Sequence, residues 1–586
     1  MTMRNTGRAA LIGCLLAGLP AWAGAQEAPL ALFPDAAGPS AAAPQKVETA
    51  PMGISIGGLS DVDVEAVGIL SSSADEPWDR DLGSGVWLGV DRLAAQDGFR
   101  ALPAAAASPA ARGMARQLLL TAAAPLMVPG APSAPGSLTA LRLEALLASG
   151  LAEDAAALAA AVPRSAWSEA VLLSAARAGW LALDAKTACT QVDDGLQRFD
   201  APVWSQMNAV CKAVSGDADK ARLTVSLLDE TRAVDDAFRP IADRIQGKSK
   251  LSLAQLPEGS GPFEAAALNL LGTKLPEDLP LAVKPWLARL AVPAEGPVGD
   301  GQIAILEQGL RRGVVPAAQA AQAMERVKFG KADLDAAKAL KADAAGPRGR
   351  ALYWQVLKAT ASAPAKAEIV ARMFAAARGD RAAQAALAVL LAKPLAALSA
   401  DPAAAWLAGD AARAALLTGD WTAARRWADL ALRNAGASDE ARRVAASLRP
   451  LIHLIDAPAA AQARAAQSAP PMPEGLAASA RDRLFGLYRV FSLAVADADW
   501  AAAVAAPAPA VEGMSPSPLL LAAVDDAAAR GTVGLTLSLA AQALAEAGDK
   551  PLAAAASERL AAALLKVGAP DWAKRVAVES LLAAGY

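Results

Sequence analysis

Gly53-Ile54-Ser55-Ile56-Gly57 has the Gly-x-Ser-x-Gly spacing of a serine nucleophile. That pattern works on a sharp turn between a strand and a helix of an α/β sheet, where the hydroxyl is held toward the substrate. Here Gly58 comes next, then Asp61-Val62-Asp63-Val64, with no β/α alternation downstream. The segment therefore reads as a Gly-rich turn. Asp61, Asp63 and Glu65 alternate as in a calcium loop, but the central Gly and distal Glu of such a loop are missing. They read as solvated carboxylates. The chain holds one histidine, His453, inside Leu451-Ile452-His453-Leu454-Ile455. An imidazole on so apolar a stretch suits helix packing better than proton transfer. The adjacent acids Asp193-Asp194, Asp235-Asp236 and Asp525-Asp526 would point about 100° apart on a helix, which suits caps and solvated faces rather than an acid/base couple. No His-Glu-x-x-His or phosphate-binding loop occurs. No residue is assigned to catalysis, and neither a cofactor nor a metal is expected.

The cysteines point to structure rather than chemistry. Cys189 and Cys211 lie eleven residues either side of Asp200, within the turn Phe199-Asp200-Ala201-Pro202. Helices are expected over Ala182–Arg198 and Val203–Val214. Antiparallel packing about that turn would bring both thiols to one level, where a disulfide can form. Two buried free thiols are the alternative.

The elements that position these residues are read from composition and punctuation. Hydrophobic residues are 54% of the 586, with aromatics only 4%, and Ala carries much of the apolar share. Ala loses almost no side-chain entropy in a helix, so the chain reads as all-α. The net charge of −3 is mild, and no Lys/Arg-dense stretch interleaves with aromatics, which argues against nucleic acid as a partner. Arg4 and Arg8, the apolar run Ala9–Leu19 and the small residues Ala23-Gly24-Ala25 form the pattern of a signal peptide, 1–25. Export to the periplasm is expected. Leu11-Ile12-Gly13-Cys14 offers a minor alternative, lipid anchoring through Cys14. No transmembrane segment is expected in the mature chain.

Residues 26–50 read as a disordered Ala/Pro-rich linker. Residues 51–128 form an irregular N-terminal segment with one helix, Ala110–Ala123, and with Trp78 and Trp87 as anchors of a strap. A second linker covers 129–136. A helical-hairpin solenoid is expected over 137–455. Pro- and Ala-rich breaks at 456–475 and 505–518 set off C-terminal helical repeats, 476–586, ending in helices over 535–547, 550–567 and 571–584. Gly150, Gly216, Gly379, Gly419 and Gly548 end helices because Gly accepts the left-handed turn. Asp217, Asp380, Asp420 and Asp549 are each expected to cap the next helix. Ala155, Ala221, Ala424 and Ala553, five positions after a Gly, let the paired helices approach closely; Gln384 departs from this.

Residues 403–435 resemble a tetratricopeptide repeat. Ala412, Gly419, Trp421, Ala424, Ala431 and Leu432 fall on its small, turn, aromatic and small positions, and Gly436 stands where that repeat has Pro. The resemblance implies a right-handed superhelix of antiparallel hairpins, a TPR-like α-solenoid; generic helical hairpins would give the same architecture. The chain as a whole also resembles Ala-rich exported proteins of Gram-negative bacteria whose role is uncharacterised, some labelled by loose analogy with antifreeze glycopeptide polyproteins. The tripeptide array behind that label is absent, so it implies no ice-binding role here.

The expected function is a non-enzymatic periplasmic scaffold binding a protein or peptide in the solenoid groove. The alternative is cell-wall glycan (peptidoglycan) binding by a superhelix similar to that of lytic transglycosylases but lacking the catalytic domain. Trp167, Trp180, Trp204, Trp286, Trp354, Trp406, Trp421 and Trp427 are the stacking residues which that alternative would use; core packing is their other role.

Overall fold

The computed structural model describes residues 66–586, apart from 75, 123–136, 249–255, 258, 274–278, 280, 283, 293–295, 399–401, 459–476 and 507–512. The expected signal peptide with Cys14, the 26–50 linker, the Gly53–Gly57 turn, the Asp61, Asp63 and Glu65 carboxylates and the 129–136 linker lie outside these residues. So do residues 459–475 of the first expected break and 507–512 of the second. Every regular element among the described residues is helical; the bridges Ser71–Arg80 and Met514–Leu552 are isolated.

Local rules account for most helix ends. Ser137 accepts the Ala140 N–H to open Leu138–Ala148. Gly150, at φ 83°, closes it, and the Leu151 N–H returns to the Leu146 carbonyl at 2.9 Å, satisfying an end group that the helix leaves free. Gly216, Gly379, Gly419 and Gly548 are also left-handed. Asp380 and Asp420 accept the N–H of Ala383 (3.0 Å) and Ala423 (2.8 Å).

Two expected caps differ. Asp217 stands before Ala218–Glu230, but its carboxylate pairs with Lys220 at 2.7 Å and takes no helix N–H. The helix expected from Lys550 begins at Ala554. Asp549 is drawn to Arg311 instead, at 2.5 and 3.0 Å. Residues 551–553 are occupied elsewhere too, since the Met514 N–H donates to the Pro551 carbonyl and the Ala553 N–H to the Met514 carbonyl. The stretch expected as one helix over Ala182–Arg198 is also divided differently. Glu169–Leu181 ends first, Leu183 turns at φ 60°, and Asp184 caps Ala185–Arg198. Arg232, Leu340 and Ser492 turn in the same left-handed way, without glycine.

Consecutive helices pack on one another along much of the chain, as Pro202–Val214 does on Ala218–Glu230 and Ala408–Thr418 on Trp421–Arg433. Small residues sit at the close approaches. Ala155, Ala221 and Ala424 are fully buried, Ala431 nearly so, and Ala553 is half-buried. A Cβ on Gly195 would lie 2.2 Å from the Trp204 ring. Further along the same helix pair, a disulfide joins Cys189 on Ala185–Arg198 to Cys211 on Pro202–Val214, with Cα atoms 5.7 Å apart.

Distant parts of the chain also meet. Pro109–Leu120 lies against both Val533–Glu546 and Pro570–Ala583, and Asp300–Arg311 against Arg381–Ala397. Trp572 Nε1 donates to Gln117 Oε1 at 2.7 Å, and the ring fills the space left by Gly113, where a Cβ would come within 2.3 Å of it. Trp87 is buried edge-on against Phe99. Trp78 packs against Trp421 and Trp572, with ring centroids 5.1 and 6.0 Å away. Contacts thus cross the divisions drawn at 128/137 and 455/476, and one hydrophobic core runs through residues 86–586. No helix among the described residues is long and apolar enough to cross a membrane.

Candidate functional site

The residues nominated from sequence serve mainly as structure. Gly150, Gly216, Gly379 and Gly419 make turns, while Ala424 and Ala431 pack between helices. His453 is half-buried beside the Tyr488 ring, 5.6 Å between centroids, and its buried Nε2 has no hydrogen-bond partner among the described residues. Burial lowers its pKa. The acid pairs diverge: Asp525 pairs with Arg559 and Asp526 with Arg530, while Asp235 accepts the Phe238 N–H and Asp194 pairs with Arg198. Trp167, Trp180, Trp204, Trp286, Trp421 and Trp427 are buried and Trp354 is half-buried. Of the eight, Trp406 has its ring substantially in solvent, at 55% exposure. No group of His, Cys, Asp and Glu among the described residues could hold a metal ion.

Gly548 leads to a site that sequence reasoning missed. It lines a cleft of about 290 Å³ where the early helix Pro109–Leu120 meets the last helices. Leu417, Leu544, Leu552 and Val576 supply apolar wall. Its charged residues come from separate elements. Arg311 ends Asp300–Arg311, Arg381 opens Arg381–Ala397, Arg413 lies in Ala408–Thr418 and Lys550 comes shortly after Gly548. Asp549 and Glu579 face them.

The hydrogen bonds separate structural from available charge. Arg311 is held by both Asp549 oxygens, and this pairing keeps the Asp549 carboxyl below its usual range. Arg413 donates to the Tyr586 carbonyl (3.0 Å) and the Ser447 hydroxyl (2.7 Å), and burial lowers its pKa. Glu579 accepts from the Ser108 hydroxyl (3.0 Å) and the Ala110 N–H (3.1 Å), so it anchors the positive end of Pro109–Leu120. Burial is the largest influence on Glu579 and raises its pKa, against the two donors and the nearby Arg575 and Arg112. Burial also brings both of those guanidiniums down to about 10. Arg381 donates to the Ala583 carbonyl, and its side chain, like that of Lys550, is exposed. The cleft therefore presents Arg381 and Lys550 above a structural layer of paired charges.

No local motif announces this arrangement. Ser108, Arg311, Arg381, Arg413, Asp549 and Glu579 are brought together only by packing between helices far apart in sequence. The sequence signals that fall on it are the Gly548 turn and the neighbouring Asp549. No protein-family profile, curated protein or solved structure matches the chain.

Proposed function

We propose that the chain is an exported, non-catalytic scaffold, a right-handed superhelix of tetratricopeptide-like hairpins that holds an acidic polypeptide segment in the basic cleft. The observation that carries this reading is the pair of exposed cations, Arg381 and Lys550, set over apolar wall in a concave site. Acidic side chains would find charge-assisted donors there, while Leu417 and Val576 would bury their apolar neighbours. Glu579 is committed to the Ser108 hydroxyl and the Ala110 N–H, which supports binding rather than turnover.

The test is fluorescence anisotropy with a labelled Glu-rich peptide and a matched Gln-rich peptide. The Glu-rich peptide should bind more tightly, and the double variant Arg381→Glu, Lys550→Glu should weaken it about tenfold or more. Equal binding of the two peptides, or no effect of the double variant, would reject the cleft as the site. Glycan turnover abolished by Glu579→Gln, with the fold retained, would reject the non-catalytic reading. N-terminal sequencing of the periplasmic protein tests export; the expected first residue is Gln26.

A further inference from the structure

A second cleft, of about 340 Å³, lies between the helices Arg381–Ala397, Ala408–Thr418 and Trp421–Arg433 and the turn Pro77–Asp79. Its floor is made of small side chains. Ala388, Ala392 and Ala396 recur at four-residue spacing on the first helix, and Ala411 and Ala415 do so on the second. Trp78 and Trp427 stand at its sides. Its charged lining residues are Glu76, Asp79 and Asp420, and none is basic.

Two of these carboxylates have work within the fold. Asp79 pairs with Arg116 at 2.8 Å, and Asp420 caps its helix by accepting the Ala423 N–H. Trp78 is fixed by Trp421 and Trp572, and the Arg575 guanidinium stacks on it 4.7 Å from the ring centre. Glu76 stands differently. Burial first, then repulsion from Asp420 and Asp79, raise its pKa, and Arg575 and Arg80 offset this only in part. A cation brought next to Glu76 would relieve that repulsion.

We infer that this cleft takes a lysine or arginine side chain of a partner polypeptide, its aliphatic stem along the alanine floor and its cation at Glu76. Long basic side chains bury their stems on apolar surface and keep the charged head with polar groups. The alanines leave room for a long stem, and the charged groups of the lining, Glu76, Asp79 and Asp420, are all acidic. An acidic occupant would meet three carboxylates. An apolar one would bury Glu76 without a partner. This cleft uses different groups from those of the basic cleft, and its role stands without that one.

The experiment uses the full chain and three labelled alanine-based peptides carrying Lys, Gln or Glu at the same positions, at low salt. The Lys peptide should bind more tightly than the Gln peptide. Glu76→Gln, which removes the charge, and Ala392→Trp, which fills the floor from an exposed helix face, should each weaken it about tenfold. Circular dichroism confirms that both variants keep their helices. Neither variant should change binding of a Glu-rich peptide at the basic cleft, so loss of that binding reports on the other site. Equal affinity for Lys and Gln peptides, no binding of the Lys peptide, or wild-type affinity in both variants would overturn the inference.

Discussion

The contact between Gly113 and Trp572 tests the meeting of early and late helices directly. Alanine in a helix interior is about 1 kcal/mol better than glycine, so Gly113→Ala should stabilise Pro109–Leu120 if the site were open. It is not open. The new Cβ would lie 2.3 and 2.8 Å from Trp572 ring atoms, and the ring is pinned by the bond from Nε1 to Gln117. Overpacking of this kind costs about 1–3 kcal/mol. The net effect in the wild-type chain should run from about zero to 2 kcal/mol destabilising. Trp572→Ala should itself cost about 3–5 kcal/mol through the cavity it leaves. In that background the clash is gone, and Gly113→Ala should stabilise by about 1 kcal/mol. The predicted coupling between the two sites is therefore about 1–3 kcal/mol. The assay is amide hydrogen exchange of Pro109–Leu120 read by mass spectrometry, which reports the opening of that helix itself. A coupling below about 0.5 kcal/mol would refute the reasoning, because the ring would then not be resting on Gly113.

Three further outcomes are expected. Gly216→Ala meets open space at φ 85° and should cost about 1–2 kcal/mol from the left-handed backbone alone, whereas Gly419→Ala would drive a Cβ into Arg575 and Trp78 and should cost about 1–3 kcal/mol more in urea denaturation. Replacing Cys189 and Cys211 by Ser opens a loop of sequence separation 22 and should cost about 3 kcal/mol on a chain-entropy estimate; reductant should bring the wild type to the same urea midpoint. His453 has a folded pKa below its ordinary 6.5 because of burial, so the folded chain binds fewer protons than the unfolded one between those values. Stability should fall as pH drops through the unfolded value, with the loss complete below the folded value; His453→Gln should flatten this slope in urea midpoints taken across that window.

The helices were legible where local chemistry decides them. Gly150 and Gly419 turn the chain because glycine meets no steric penalty there, and Asp380 and Asp420 sit one residue beyond a turning glycine and cap the next helix. No glycine marks the turns at Leu183, Arg232, Leu340 and Ser492, where the N–H of the next residue closes back onto a carbonyl of the preceding helix, as Asp184 does on Gly179 and Leu493 on Tyr488. Asp549 shows the opposite failure: the local pattern for a cap was present, but Arg311, remote in sequence, took the carboxylate. The basic cleft was illegible for the same reason. Its residues share no spacing, and only the docking of Pro109–Leu120 onto the late helices defines it.

That docking also sets a timetable for the chain as it is made. Pro109–Leu120 buries Met114, Leu118 and Leu119 against partners that include residues 533–583, which emerge much later. At roughly 5–20 residues per second, the interval is on the order of tens of seconds. During it the part of the helix face that the late helices cover stays open, and a non-native neighbour can compete for it. A truncation lacking residues 533–586 should therefore leave Pro109–Leu120 sticky, and holdase chaperones should bind nascent chains over residues 109–120 until those late helices have been made.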